Sequence, residues 1–126
     1  MTRTSRISDA EWQVMQIVWD RAPVAAAEVI RSLEGCSGWN HRTIRTLLTR
    51  LVKKNVLAYE VDGNRYLYRP KVVRDRCVRA EGRSFLKKVF GGDTASLLLH
   101  FAQNSQLSKK EAAELRRILD ERENQR

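Results

Sequence analysis

A mostly helical fold with a small β-hairpin is predicted for this chain, and three observations predict it. Three segments with apolar residues at helical spacing precede two alternating runs joined by a turn signal. The third of those helices has a polar face built only from Arg, Lys and Thr. The remainder places Leu, Phe and Val on short helices that cannot close a core alone. Together they describe an N-terminal winged helix-turn-helix over residues 1–70 and a C-terminal three-helix dimerisation module over 71–126.

The first helix announces itself at Ser8-Asp-Ala-Glu11, a capping box in which Ser8 and Glu11 satisfy each other's helix-end amides, with Ile7 and Trp12 as a hydrophobic staple. Trp12, Met15 and Trp19, with Val14, Ile17 and Val18, give it a wide apolar face from about residue 8 to 20, and Pro23 ends it. A second helix is predicted over about 26–34, with Val29, Ile30 and Leu33 on one stripe and Gly35 as the stop. Ala25 stands at its cap, where a Ser or Thr would contribute roughly 1 kcal/mol.

Asn40 is a good N-cap for a third helix running to about Lys54, with apolar positions Ile44, Leu47, Leu48 and Leu51. Turning about 100° per residue from Ile44, Arg42, Thr46, Thr49 and Lys53 fall at about 140–200°, opposite the core, with Arg45 and Arg50 flanking them. No carboxylate lies between residues 41 and 54. A run of cations is usually a solvated face. Here the preceding helix-turn-helix spacing and the following hairpin favour entry into the major groove of double-stranded DNA. On that geometry Arg42, Thr43, Arg45 and Thr46 lie near base edges, where Arg can donate bidentately to guanine and a Thr methyl can touch thymine. Arg50, Lys53 and Lys54 lie further along, toward phosphates.

Leu57–Val61 and Arg65–Arg69 alternate and are joined by Asp62-Gly63-Asn64, a hairpin turn; Pro70 closes the domain. Asn64 and Arg65 could reach the DNA backbone from this wing, although one Arg beside an exposed turn is equally an ordinary hairpin. Tyr59, Tyr66 and Tyr68 read as core and cross-strand pairs rather than as a stacking platform for single strands. A basic helical stretch spans about 72–90, with Phe85 and Val89 in its sparse apolar set, and Gly91-Gly92 ends it. Asp93 caps a short apolar helix holding Leu97, Leu98 and Phe101, and Ser108 with Glu111 opens a last helix holding Leu115, Ile118 and Leu119. Phe85, Val89, Leu97, Leu98, Phe101, Leu115, Ile118 and Leu119 are the candidate dimer contacts.

The net charge of +9, from 24 basic and 15 acidic residues, favours a polyanionic partner. It is spread over both halves, with 11 basic and 7 acidic residues in 1–70 and 13 and 8 in 71–126. No apolar run approaches the roughly 18 residues of a membrane span, and no apolar stretch follows the first residues to serve as a signal peptide, so no membrane insertion and a cytoplasmic location are expected. Cys36 and Cys77 have no pairing pattern. Cys36, His41, Cys77 and His100 lack metal-ligand spacing, no nucleophile or paired-carboxylate motif is visible, and neither a metal, a cofactor nor an enzyme activity is expected. A metal- or other signal-responsive repressor of the same fold, and an adaptor binding anionic surfaces through the 71–88 helix, remain the alternatives.

Five strings carry a family resemblance: Ile7-Ser-Asp-Ala-Glu-Trp12, Thr43-Ile-Arg-Thr-Leu-Leu-Thr-Arg-Leu-Val-Lys-Lys54, Phe90-Gly-Gly-Asp93, Ser96-Leu-Leu-Leu-His-Phe101 and Glu114-Leu-Arg-Arg-Ile-Leu119. Across about residues 7–120 the chain resembles the penicillinase and methicillin-resistance repressors of the BlaI/MecI type. The resemblance implies a homodimer that binds inverted-repeat operator DNA upstream of a beta-lactamase-type gene and of its own operon. It also implies induction by a membrane sensor-protease that detects beta-lactam and cuts between His100 and Phe101. In the best-known members the residue before that Phe is Asn, and relatives tend to have Ser or Thr where this chain has Ala25. The paired terminal cysteines of the copper-responsive branch are missing from Asp120–Arg126, so copper sensing is not expected.

Overall fold

The computed structural model describes residues 6–125. Helix α1 (Asp9–Arg21) opens on the capping box: Glu11 N donates to Ser8 Oγ at 3.2 Å and Ser8 N to Glu11 Oε1 at 2.8 Å. After Pro23 comes a two-residue strand β1 (Val24–Ala25), then α2 (Ala26–Ser37), α3 (His41–Lys53), and strands β2 (Leu57–Asp62) and β3 (Arg65–Pro70). The sheet has three antiparallel strands in the order β1-β3-β2: β2 and β3 form the expected hairpin, and the short β1, which the sequence did not show, adds to its β3 edge. Val24 pairs with Tyr68 and Ala25 with Leu67. Helix α2 does not stop at Gly35 as expected: it runs through Gly35 and stops at Gly38, whose φ of 68° gives the left-handed cap.

The core lies where α1, α2, α3 and the base of the sheet meet. Helix α3 buries Ile44, Leu47, Leu48 and Leu51, the predicted stripe, against Val14, Met15 and Val18 of α1 and Val29 and Leu33 of α2. Val56 and Leu57 continue it into β2. Asp62 faces Arg65 across a two-residue turn in which Gly63 takes a φ of 63°. Along β2 and β3 the same strand face passes from core to solvent. Tyr68 is buried, whereas Tyr59 and Tyr66 are nearly half exposed and stack on one another with centroids 4.7 Å apart. Only Tyr68 of the three tyrosines is therefore a core residue.

The first compact unit continues past Pro70 to Val78, and the second begins at Arg79. The reason is packing: Val72 lies against the core, its carbonyl accepts from Trp19 Nε1 at 3.0 Å, and Cys77 is buried. Helix α4 spans Arg74–Phe90, followed by α5 (Thr94–Asn104), capped by Asp93, and α6 (Lys109–Asn124), opened by the Ser108–Glu111 capping box. No described residue of α5 or α6 is buried. Phe85, Phe90, His100 and Phe101 form a ring cluster with neighbouring centroids 5.4–6.5 Å apart. Leu98, Leu99, Ile118 and Leu119 remain open to solvent.

Candidate nucleic-acid interface

Because Ile44, Leu47, Leu48 and Leu51 anchor one face of α3 in the core, its other face is turned to solvent. Arg42, Thr43, Arg45, Thr46, Arg50 and Lys53 are all exposed on it. Asn40 Oδ1 accepts both the backbone N–H of Thr43 at 3.0 Å and its hydroxyl at 3.2 Å, which secures the first turn. Thr46 donates to Arg42 O at 2.9 Å and Thr49 to Arg45 O at 3.0 Å. With these hydroxyls turned back onto the helix, the threonine methyls are what the face shows to a partner. No ion pair among the described residues engages Arg42, Arg45, Arg50 or Lys53.

Lys54 is placed differently. Its ammonium lies 2.6 Å from Glu11 Oε1 and 2.9 Å from the Arg6 carbonyl oxygen, and Glu11 is only 1% exposed. Burial pushes the Glu11 carboxyl up, but the Lys54 ammonium and the Ser8 hydrogen bonds outweigh it and hold the group below its ordinary value. The charge of Lys54 is thus engaged within the fold, where it fastens the end of α3 to the start of α1. The sequence groups Lys54 with the cations further along α3, toward phosphates, but says nothing of a carboxylate 43 residues earlier.

On the wing, Arg65 is exposed and donates to Asp62 Oδ2 at 3.2 Å. Asn64 and Arg65 are brought together with Arg45 of α3 around an open cleft of about 270 Å³, whose remaining walls are Ala25–Ala27, Tyr66 and Tyr68. Of these walls the sequence singles out Ala25 only as a helix cap and the two tyrosines only as core and cross-strand pairs. The pairing of Tyr68 with Val24 that assembles them depends on a strand too short to show a period. In the second unit, His100 and Phe101 lie on exposed turns of α5, with rings 5.4 Å apart. Of the candidate dimer contacts, Leu97 alone is half-buried, while Phe85, Val89, Leu98, Phe101, Leu115, Ile118 and Leu119 are exposed. No group of three or more metal-ligating side chains occurs among the described residues, and no described helix is long and apolar enough to cross a membrane.

A helix held by three-helix packing, bare of carboxylates on its open face and flanked by a hairpin wing, defines a winged-helix DNA-binding protein. The penicillinase repressor family profile matches residues 7–121, and the chain belongs to that family. It is 36% identical to the penicillinase repressor of Bacillus licheniformis over 126 residues, which cover all of this chain and 98% of the relative. It is 40% identical to the Staphylococcus aureus penicillinase repressor over 115 residues, 91% of each chain. The methicillin resistance regulatory protein MecI of S. aureus strain N315 is 35% identical over 120 residues, 95% of this chain and 98% of the relative.

Two solved structures resemble part of this chain. The solution structure of the DNA-binding domain of the repressor BlaI superposes with a TM-score of 0.54 at 36% identity, covering 59% of this chain and 90% of that one. The B. licheniformis BlaI monomeric form in complex with the blaP half-operator gives 0.53 at 36% identity, covering 60% and 92%.

Proposed function

We propose that this chain is a homodimeric, cytoplasmic repressor that reads an inverted repeat in the operator of a beta-lactamase-type resistance operon. On this reading a membrane sensor-protease relieves repression by cutting between His100 and Phe101. The observation that carries the DNA role is the α3 face: Arg42, Thr43 and Thr46 near its N-terminal end, Arg50 and Lys53 beyond them, and no carboxylate among them. The first-turn residues would meet base edges and the later cations phosphates, with Arg45, Asn64 and Arg65 joining from the wing side. The complex of a relative with a half-operator supports a domain that engages one half-site at a time. The open apolar faces of Phe85, Val89, Leu98, Phe101, Leu115, Ile118 and Leu119 support a second copy as their cover.

The test is DNase footprinting and titration on the promoter regions of the source genome. An inverted repeat protected at least about 10³-fold more tightly than a random duplex of the same length is expected. Equal affinity for both duplexes would overturn the reading.

A further inference from the structure

The cleft between α2 and the wing has the makings of an anion seat. Helix α2 begins at Ala26 with Ala25 as its N-cap, and no side chain caps its first turn. Its leading amides therefore keep their donors and the positive end of the helix dipole. Methyl groups at Ala26 and Ala27 leave room for a ligand to approach those amides. A second, independent feature points the same way. Tyr68 is 8% exposed, lines the cleft, and its hydroxyl has no hydrogen-bond partner among the described residues. Burial raises the Tyr68 phenol above the ordinary tyrosine range, against the lowering influence of Arg45, so it stays an O–H donor at neutral pH.

Tyr68 and the first turn of α2 line the same cleft, to which Arg45 and Arg65 add cationic walls. Arg65 is shared with Asp62, which leaves Arg45 as the cation of the cleft without an ion-pair partner among the described residues. Donors from a helix end, a phenol and a guanidinium, with no acceptor charge of their own, match one phosphodiester of a duplex.

We infer that this cleft seats a single backbone phosphate of each half-site, held by the first-turn amides of α2, the Tyr68 hydroxyl and Arg45. The inference rests on the DNA-binding reading above and gives Arg45 a positioning role in place of a base-reading one. It also makes the missing Ser or Thr at Ala25 useful, since a capping hydroxyl would compete for the same amides.

The experiment uses the full chain, the protected duplex and a random duplex. Tyr68→Phe, which removes one oxygen, should weaken binding about three- to tenfold on both DNAs and leave base preference unchanged. Arg45→Gln should weaken both about tenfold and reduce the salt slope by about 1. A methylphosphonate scan of the operator should find one position per half-site where the wild type loses about tenfold and Tyr68→Phe loses no more than about twofold further. Arg45 is exposed, so its variant and the scan decide the matter even if thermal melting shows Tyr68→Phe to be unfolded. Relaxed base preference in Arg45→Gln, unchanged binding by a folded Tyr68→Phe, or additive losses at every scanned phosphate would overturn the seat. Failure of the wild type to bind any duplex would instead overturn the repressor reading.

Discussion

Lys54 ends a helix whose other cations face solvent, yet its ammonium is turned inward to a carboxylate that is almost wholly buried. Removing one partner of such a pair leaves the other charge desolvated, which costs about 3–5 kcal/mol when both are buried. Lys54 keeps 31% of its side chain exposed, so water screens part of that loss, and Lys54→Met should cost about 2–3 kcal/mol at neutral pH. Once folded, the variant should bind DNA about as tightly as the wild type, unlike a variant lacking a phosphate contact. The pH dependence follows from the Glu11 carboxyl, which the fold holds below its ordinary 4.5. A depressed carboxyl contributes stability that is present above the unfolded value and is lost as pH falls through the folded one. The stability gap between wild type and Lys54→Met should therefore narrow on titration below about pH 4.5. Denaturant unfolding on either side of that pH checks this, and a constant gap would exclude the ion pair as its source.

The elements that sequence reading located well are those whose start signals sit three residues apart. The Ser8 and Ser108 capping boxes and the Asn40 and Asp93 caps all satisfy amides within their own first turn. The α3 stripe was equally legible, because Ile44, Leu47, Leu48 and Leu51 record the helical period directly. Strand β1 was not, since two residues carry no alternation and its partner Tyr68 lies far along the chain. The same distance hid the Glu11–Lys54 pair and the α2–wing cleft. The end of α2 is not legible in the sequence because two glycines compete for it and only backbone geometry chooses between them: Gly38 has φ 68°, while Gly35 lies inside the helix. A Cβ at either position meets nothing within 4 Å, so conformation alone decides the outcome. Gly35→Ala should stabilise the protein by about 0.5–1 kcal/mol, and Gly38→Ala should destabilise it by about 1 kcal/mol. Thermal unfolding of the two variants should shift in opposite directions, and like shifts would contradict the assigned helix end.

The two compact units have unequal means of holding themselves together. The first has a closed core that includes Cys77, and Val72 packs against it, so a fragment 1–78 should unfold cooperatively, whereas 1–70 lacks both residues and the Trp19–Val72 bond and should melt lower. Circular dichroism melts compare them; equal midpoints would show that the segment after Pro70 adds nothing. The second unit buries none of its α5 or α6 residues and leaves Leu98, Leu99, Ile118 and Leu119 open, a distribution that a partner copy would complete. If it joins two protomers, sedimentation should show a dimer at micromolar concentration, and its salt slope on a two-site operator should be about twice that of the 1–78 fragment. Joining makes the second half-site contact intramolecular, at an effective concentration that raises affinity by about 10² or more. Scission between His100 and Phe101 would divide α5 and part the Phe85–Phe90–His100 rings from Phe101 and α6. A helix so shortened cannot sustain itself in water, and neither piece keeps enough apolar surface to hold the partner. The DNA-binding unit should then stay folded and release the operator. Intact-mass analysis of the protein from cells given a beta-lactam checks the switch: derepression with an uncut chain would end the proteolytic account, and a cut outside 94–104 would keep proteolysis while refuting this site.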